Sequence, residues 1–345
     1  MPNNEKILVE LSGGVDSCAS AIILKDKGLD VRGAMMQLHD TSTFQEDVQN
    51  AEEICKRLDL PFDVFDLRKE FRQNVIDYFI NSYKNALTPN PCIVCNQTMK
   101  FGTMFDLAQK QNCEKLATGH YAQIKYENNT YSLHCAKDKN KDQSYVLHFL
   151  NQEQLAKIEF PLGGYTKDEV RQIVKDAGFS FSEKADSQDI CFVDDGNYPK
   201  FILENSDYKP KPGNVINSQG EIVGTHEGLI NYTIGQRKGL GIAFSEPMFI
   251  TKLNAQENTI TLGTKDETFQ EEVLIENFNW INPPKEKEFE CSAKLRYRQT
   301  AKPCKAFIEK DKVCLNYPEK VSAVTPGQFA VLYNGDEVLG GGTIL

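Results

Sequence analysis

The segment Ile7-Leu8-Val9-Glu10-Leu11-Ser12-Gly13-Gly14-Val15-Asp16-Ser17-Cys18 constrains the fold more than any other. Ile7–Val9 is an apolar run that reads as a buried strand, and Ala19, Ile22 and Ile23 recur at helical spacing until Gly28. Between them two glycines pass the chain directly from strand to helix. Glycine permits close backbone approach and free N–H groups at a helix N-terminus attract anions, so the turn reads as a phosphate cradle, with Ser12 and Ser17 as added hydroxyl donors. It lacks the Lys-Ser/Thr ending of a Walker A loop. A plain Gly-Gly turn entering a helix accounts for the glycines alone, and Asp16 alone reads as an acidic residue favoured by the helix dipole.

The pattern after this turn sets the fold class. "VRGAMM" and "PFDVFDL" read as strands, separated by Val48, Ala51, Ile54, Cys55 and Leu58 at helical spacing. Phe71, Val75, Ile76 and Phe79 mark a helix, the prolines of "TPNPCIVCN" mark a loop, and Phe101, Met104, Phe105 and Ala108 mark another helix before the strand "KLATGHYA". Such alternation predicts an α/β domain built on a doubly wound parallel sheet. "YAQIKYENNTYSLHCA" predicts a hairpin turning at Asn128-Asn129, and Thr166 with Glu169 has capping-box spacing. After about residue 205 the texture becomes Gly- and Pro-rich with short alternating runs. The expected division is therefore a catalytic domain over 1–205, a small central β domain over 206–265 and a C-terminal β-barrel over 266–345.

Composition narrows the function classes. A net charge of −10 argues against a uniformly basic nucleic-acid coat but leaves room for a local basic stripe. "CSAKLRYRQTAKPCK" is one: alternation would put Lys294, Arg296 and Arg298 on one strand face beside Tyr297, suited to RNA phosphates and base stacking, although charge on a strand face is usually solvated surface. Arg237-Lys238 is a second candidate. The start "MPNNEKILVE" has no signal-peptide pattern and no apolar run reaches membrane length, so a cytoplasmic chain without membrane contact is expected. In that compartment most of the ten cysteines read as small buried residues. The pair Cys92 and Cys95, three apart, is different: metal binding, redox chemistry or catalysis is the better reading. Cys191, in "SEKADSQDICFVDDG", is a third polar-context cysteine.

The string SGGVDS resembles the PP-loop of the ATP pyrophosphatase (adenine nucleotide alpha hydrolase-like) superfamily. SGGVDS, TPNPCxxCN with Lys100-Phe101 following, ATGHYA, KDQSYVL, DSQDICFV, NYTIGQRKGLGI, LRYRQT, VTPGQFAVLY and LGGG together resemble, in order and from end to end, the tRNA-specific 2-thiouridylase family. The resemblance implies ATP-dependent 2-thiolation of the wobble uridine: AMP is transferred to the C2 oxygen with loss of pyrophosphate, then sulfur attacks C2 and AMP departs. It implies MgATP bound by Glu10, Leu11, Ser12, Gly13, Gly14, Val15, Asp16 and Ser17, with Met36 and Gly119 at the nucleotide. It implies tRNA contacts at Asn90, Pro91, Cys92, Lys141, Asp142, Gln143, Arg296, Tyr297 and Arg298. By position Cys95 is the nucleophile and Cys191 the persulfide carrier.

The partners implied are tRNA and a sulfur donor, either a persulfide carrier protein or sulfide, acting on a monomer. Two departures stand out. Many family members have Asp at the place of Cys92, so three cysteines, Cys92, Cys95 and Cys191, are also a possible ligand set for a 4Fe–4S cluster with one open iron. A Cys92–Cys95 redox pair is a further reading. "AMMQLHD" lacks the Asn-Trp that often follows the family methionine.

Overall fold

Parallel strands covered on both faces must be apolar on both sides, and this is how Ile7, Leu8 and Val9 sit, all buried. In this computed structural model the described residues are 5–183, 190–193, 196–242, 244–322 and 324–345. The N-terminal sheet contains β1 (Lys6–Glu10), β2 (Asp30–Gln37), β3 (Phe62–Asp66) and β4 (Lys115–Ala117). A hairpin, β5 (Ala122–Glu127) and β6 (Thr130–Cys135), intervenes before β7 (Ile158–Glu159) completes the sheet. The order is β3-β2-β1-β4-β7, all parallel. The chain moves outward from β1 to β3 and then returns to the other side of β1, so the order reverses between β1 and β4. That reversal is where open α/β sheets bind ligands, beyond the strand C-termini.

The hairpin turns as its sequence predicts, with Asn128 and Asn129 both at positive φ (52° and 60°), the backbone that a two-residue hairpin favours. The capping box at Thr166 and Glu169 is present at the head of the helix Lys167–Asp176. The expected loop at TPNPCIVCN is corrected. A helix begins at Pro91 and continues without a break, through a π-helical stretch Asn96–Met104, to Lys110. Asn90 accepts a hydrogen bond from the Ile93 N–H and Pro91 takes the first helical position, where its missing N–H costs nothing. These are helix-start signals, not breaks.

A small mixed sheet follows, made of β8 (Gly213–Asn217), β9 (Ile222–His226), β10 (Phe249–Asn254) and β11 (Thr259–Gly263) in the order β10-β11-β8-β9. The last strands, β12 (Phe269–Trp280), β13 (Glu288–Lys294), β14 (Lys302–Glu309), β15 (Lys312–Ser322), β16 (Phe329–Asn334) and β17 (Glu337–Ile344), form a barrel. It is closed by pairing of β12 with β17. The hairpin β5–β6 extends this barrel's sheet, since β6 pairs with β17 through His134↔Glu337 and Leu133↔Val338. Catalytic domain and barrel thus share a sheet. "LRYRQT" is a second correction: β13 ends at Lys294, so strand alternation does not carry on to Arg296 and Arg298.

Candidate active site

The phosphate loop lies where β1 ends, at the reversal point. Leu11 and Val15 are buried and anchor it, and Gly13 takes φ 69°. Inside the turn the Ser12 N–H donates to Ser17 Oγ at 3.2 Å, and Ser17 Oγ donates to the Gly14 carbonyl at 3.0 Å. No side chain caps the helix Val15–Asp26 at Gly14. Its first-turn N–H groups therefore keep the arrangement suited to an anion.

Asp16 is held from two directions. Tyr121 Oη donates to Oδ1 at 2.7 Å, and Lys167 Nζ donates to Oδ1 at 2.8 Å and Oδ2 at 2.9 Å. Lys167 is buried. Gly119, after β4, lies against this aspartate: a Cβ there would stand 3.2 Å from the Asp16 backbone carbon and 3.3 Å from the Ser17 nitrogen. Any side chain at 119 would press on the phosphate loop.

The cysteines gather on the other side of Glu10. Cys92 and Cys95 are three apart on one helix, hence on one face. Cys191 is placed by its neighbour Phe192, whose ring meets Phe71 at 5.6 Å and Phe79 at 5.3 Å, edge to face. Burying such a ring contributes roughly 1.5–3 kcal/mol, a firm anchor for a short segment. Cys92 and Cys191 are exposed and Cys95 is half-buried, yet all three stand at a crowded cleft where burial raises the thiols. Cys191 is pushed up to about 11, first by burial and then by Cys92. Cys95 is pushed higher, by burial first, with Cys191, Cys92 and Glu10 adding to it. Cys92 is also raised by burial.

Lys100 opposes these shifts at all three thiols. Its ammonium pairs with the Glu10 carboxylate at 3.2 Å. Burial would favour neutral Lys100, but Glu10 and Cys95 outweigh it and its pKa is raised. Lys100 is five residues after Cys95. An α-helix would carry it away from that face; the wider π-helical turn brings it round. The Glu10–Lys100 pair joins the phosphate loop to the cysteines.

The other expected residues divide. Met36 is buried in the core at the end of β2. His120 bonds Thr118 Oγ1 at 2.7 Å, and burial, then Lys100, holds it neutral. Asn90 caps the cysteine helix and Pro91 is buried beneath it. Asp142 accepts from the Ala136 N–H and the Ser144 hydroxyl at 2.9 Å each, so its carboxylate is committed within the protein. Gln143 Oε1 accepts from the Tyr121 N–H. Lys141 is half-buried and Arg298 exposed. Tyr297, 39% exposed, bonds the Asp142 carbonyl at 3.4 Å and feels the charge of Cys92, which brings the barrel to the cysteine cleft. Arg296 turns inward to Thr325 Oγ1 and the Ile234 carbonyl, joining barrel to central sheet.

Sequence reading did not single out Lys100, Tyr121 or Lys167 for the site. The first two lie within quoted motifs and were legible there; Lys167 was hidden in a capping box. The polar stretch 184–189 before Cys191 lies outside the described residues. Among the described residues no group of three or more His, Cys, Asp or Glu converges to hold a metal ion, and no helix is long and apolar enough to cross a membrane.

Known proteins resemble this chain along nearly its whole length. A family model described as tRNA methyl transferase HUP domain matches residues 5–195. A tRNA methyl transferase PRC-barrel domain matches 200–264 and an aminomethyltransferase beta-barrel domain matches 270–344. The tRNA-specific 2-thiouridylase MnmA of Clostridium perfringens is 39% identical over 99% of this chain and 98% of its own length. The tRNA-specific 2-thiouridylase MnmA 1 of Thermoanaerobacter sp. is 42% identical over 100% of this chain and 99% of its own. A solved U34-tRNA thiolase, NcsA from Methanococcus maripaludis with its [4Fe-4S] cluster, is 18% identical, covers 59% of this chain and 64% of that one, and has a TM-score of 0.37, too loose to bear on the site.

Proposed function

The chain belongs to the tRNA-specific 2-thiouridylase family MnmA, and from that premise we propose that it thiolates C2 of the wobble uridine of tRNA at the expense of MgATP. One observation carries the reading at the level of the site: the phosphate loop and three cysteines meet through the Glu10–Lys100 pair. Adenylylation and sulfur transfer need to occur on one base without its release, and this arrangement puts the two chemistries side by side.

MgATP is a substrate here. Ser12–Ser17 and the uncapped helix N-terminus hold its phosphates, and Asp16 lies in reach of the ion that accompanies them. The uridine C2 oxygen attacks the α-phosphorus and pyrophosphate leaves. Oxygen at C2 is then part of a good leaving group. A persulfide on Cys191 supplies sulfur. The Cys95 thiolate attacks the Cys191 sulfur, a Cys95–Cys191 disulfide forms and hydrosulfide departs. Hydrosulfide adds to C2 and AMP leaves with the oxygen; a dithiol reductant restores both thiols. Lys100 stabilises the thiolates this sequence requires. The uridine must leave its stack to reach the cleft, where Asn90, Gln143 and Tyr297 would meet it, and Arg298, exposed one residue after Tyr297, would take phosphate. A 4Fe–4S cluster with one open iron would be held by the same three thiols, Cys92, Cys95 and Cys191. The persulfide is the route proposed because it is the one the family resemblance implies.

The test is release of pyrophosphate and AMP by purified protein with and without unmodified tRNA and a persulfide donor. Pyrophosphate formation that requires tRNA, with one 2-thiouridine per AMP, supports the proposal. Nucleotide cleavage driven by a small metabolite instead of tRNA refutes it.

A further inference from the structure

We propose that the C-terminal barrel positions the cysteine helix, with Gln328 as the positioning residue. The proposal deepens the thiolation reading and rests on it for its kinetic arm only. Pro89 and Pro91 flank the entry to the helix that carries Cys92 and Cys95, and neither has an N–H. The peptide carbonyls at this entry must find donors elsewhere. Gln328 supplies them: its Nε2 donates to the Thr88 carbonyl at 2.9 Å and to the Pro89 carbonyl at 3.0 Å. The Thr88 N–H donates in return to the Pro326 carbonyl at 3.0 Å.

Between these contacts lies Gly327 at φ +88°, where a Cβ would stand 2.9 Å from Leu87 Cβ and 3.1 Å from the Thr88 nitrogen. The barrel backbone can approach so closely only because residue 327 has no side chain. The string Thr325-Pro326-Gly327-Gln328 thus grips Leu87–Pro89, three residues ahead of Cys92. Asn90 capping and Pro91 fixing φ follow directly. The barrel fixes where Cys92 and Cys95 stand relative to Cys191, which hangs from the catalytic domain through Phe192.

Gln328→Glu tests this. It keeps the shape and replaces the donor by an oxygen facing two carbonyls. Asp336→Asn is the comparison; it removes the Lys139–Asp336 ion pair, an exposed contact between the same two domains. Two readouts are taken: the pH-dependent rate at which iodoacetamide labels Cys92 and Cys95, followed by peptide mass spectrometry, and kcat and KM for thiolation. Misplacing a reacting group by about 1 Å costs as much as 100-fold. Gln328→Glu is therefore expected to lower kcat about tenfold or more with KM for MgATP held, and to change the labelling rate about threefold. Asp336→Asn is expected to match the unaltered protein in both. Unchanged labelling in Gln328→Glu, or an equal loss in Asp336→Asn, overturns the proposal. If Gln328→Glu does not fold, Gln328→Met, which lacks the donor without adding repulsion, answers by the same readouts. Altered labelling in a protein that thiolates no tRNA leaves the clamp standing and removes the thiolation reading.

Discussion

Lys167 lays its ammonium across both carboxylate oxygens of Asp16, at 2.8 and 2.9 Å, within the phosphate loop itself. The lysine is buried and comes from a helix more than a hundred residues away in sequence, packed against the helix that follows the loop. Without nucleotide, it neutralises the one acidic side chain of SGGVDS. On the proposed reading, Asp16 turns to the magnesium that accompanies the phosphates and the lysine faces the new negative charge.

Lys167→Met separates charge from packing, since methionine keeps most of the buried stem. A charge-assisted hydrogen bond is worth about 1.5–3 kcal/mol, so KM for MgATP should rise about tenfold or more. Tyr121→Phe removes a neutral donor from the same carboxylate and should change KM less. Isothermal titration with a non-hydrolysable nucleotide reads both. Equal affinities in Lys167→Met and the unaltered protein would show that the lysine only holds Asp16 in place.

The cysteine cleft makes a pH prediction with a definite sign. Burial raises Cys95 and Cys191, so at neutral pH each is mainly thiol, and thiolate grows about tenfold per pH unit below the thiol pKa. Single-turnover thiolation should therefore climb from pH 7 to pH 9. Lys100→Met removes a cation that opposes the rise, so its profile should shift to higher pH and its rate at pH 7 should fall about tenfold. Cys95→Ser and Cys191→Ser should each abolish thiolation with tRNA binding nearly unchanged. Full activity in either serine variant would contradict any sulfur route through these residues.

Much of this was legible because several strings carried both a structural and a chemical meaning. The apolar run before SGGVDS announced a buried parallel strand, and Asn128-Asn129 announced a hairpin. TPNPCIVCN is ambiguous in sequence because proline both breaks a helix and begins one, and here Pro91 begins it. LRYRQT misled because periodicity does not show where a strand stops; Arg296, read as an outward cation, is turned inward by the chain bend after Lys294. The roles of Lys100, although it stands in a quoted motif, and of Lys167 are hidden for a different reason. Each acts through a partner distant in sequence or a π-helical turn, and neither leaves a periodic trace.

Metal content distinguishes a persulfide route from a cluster at Cys92, Cys95 and Cys191. On the persulfide reading, protein purified without oxygen should carry no iron or acid-labile sulfide and show no broad visible absorption. Cys92→Ser should leave that spectrum unaltered and retain part of the activity. About four irons per chain, lost in Cys92→Ser, would replace the persulfide by a cluster.

His148 makes the last prediction, for acid. It is buried against the barrel: its Nδ1–H donates to the Tyr145 carbonyl at 2.9 Å, its ring meets Phe329 at 5.3 Å, and its own carbonyl accepts from Asn279 Nδ2 at 2.8 Å. Burial lowers its pKa to about 4, despite the Tyr145 bond, which acts the other way. An unfolded histidine titrates near 6.5, so between these values the unfolded chain binds the extra proton and stability falls as pH falls. The contribution is whole above about 6.5 and is lost progressively towards 4, about 2 kcal/mol of it by pH 5. His120, also buried and lowered, adds with the same sign. Urea denaturation at pH 7.5 and pH 5 checks this. His148→Gln should be less stable at pH 7.5 but lose less on acidification, and its loss should appear first as separation of barrel from catalytic domain, followed by fluorescence of Trp280 in β12. Equal stability of the unaltered protein at the two pH values would mean that its buried histidines are protonated without cost.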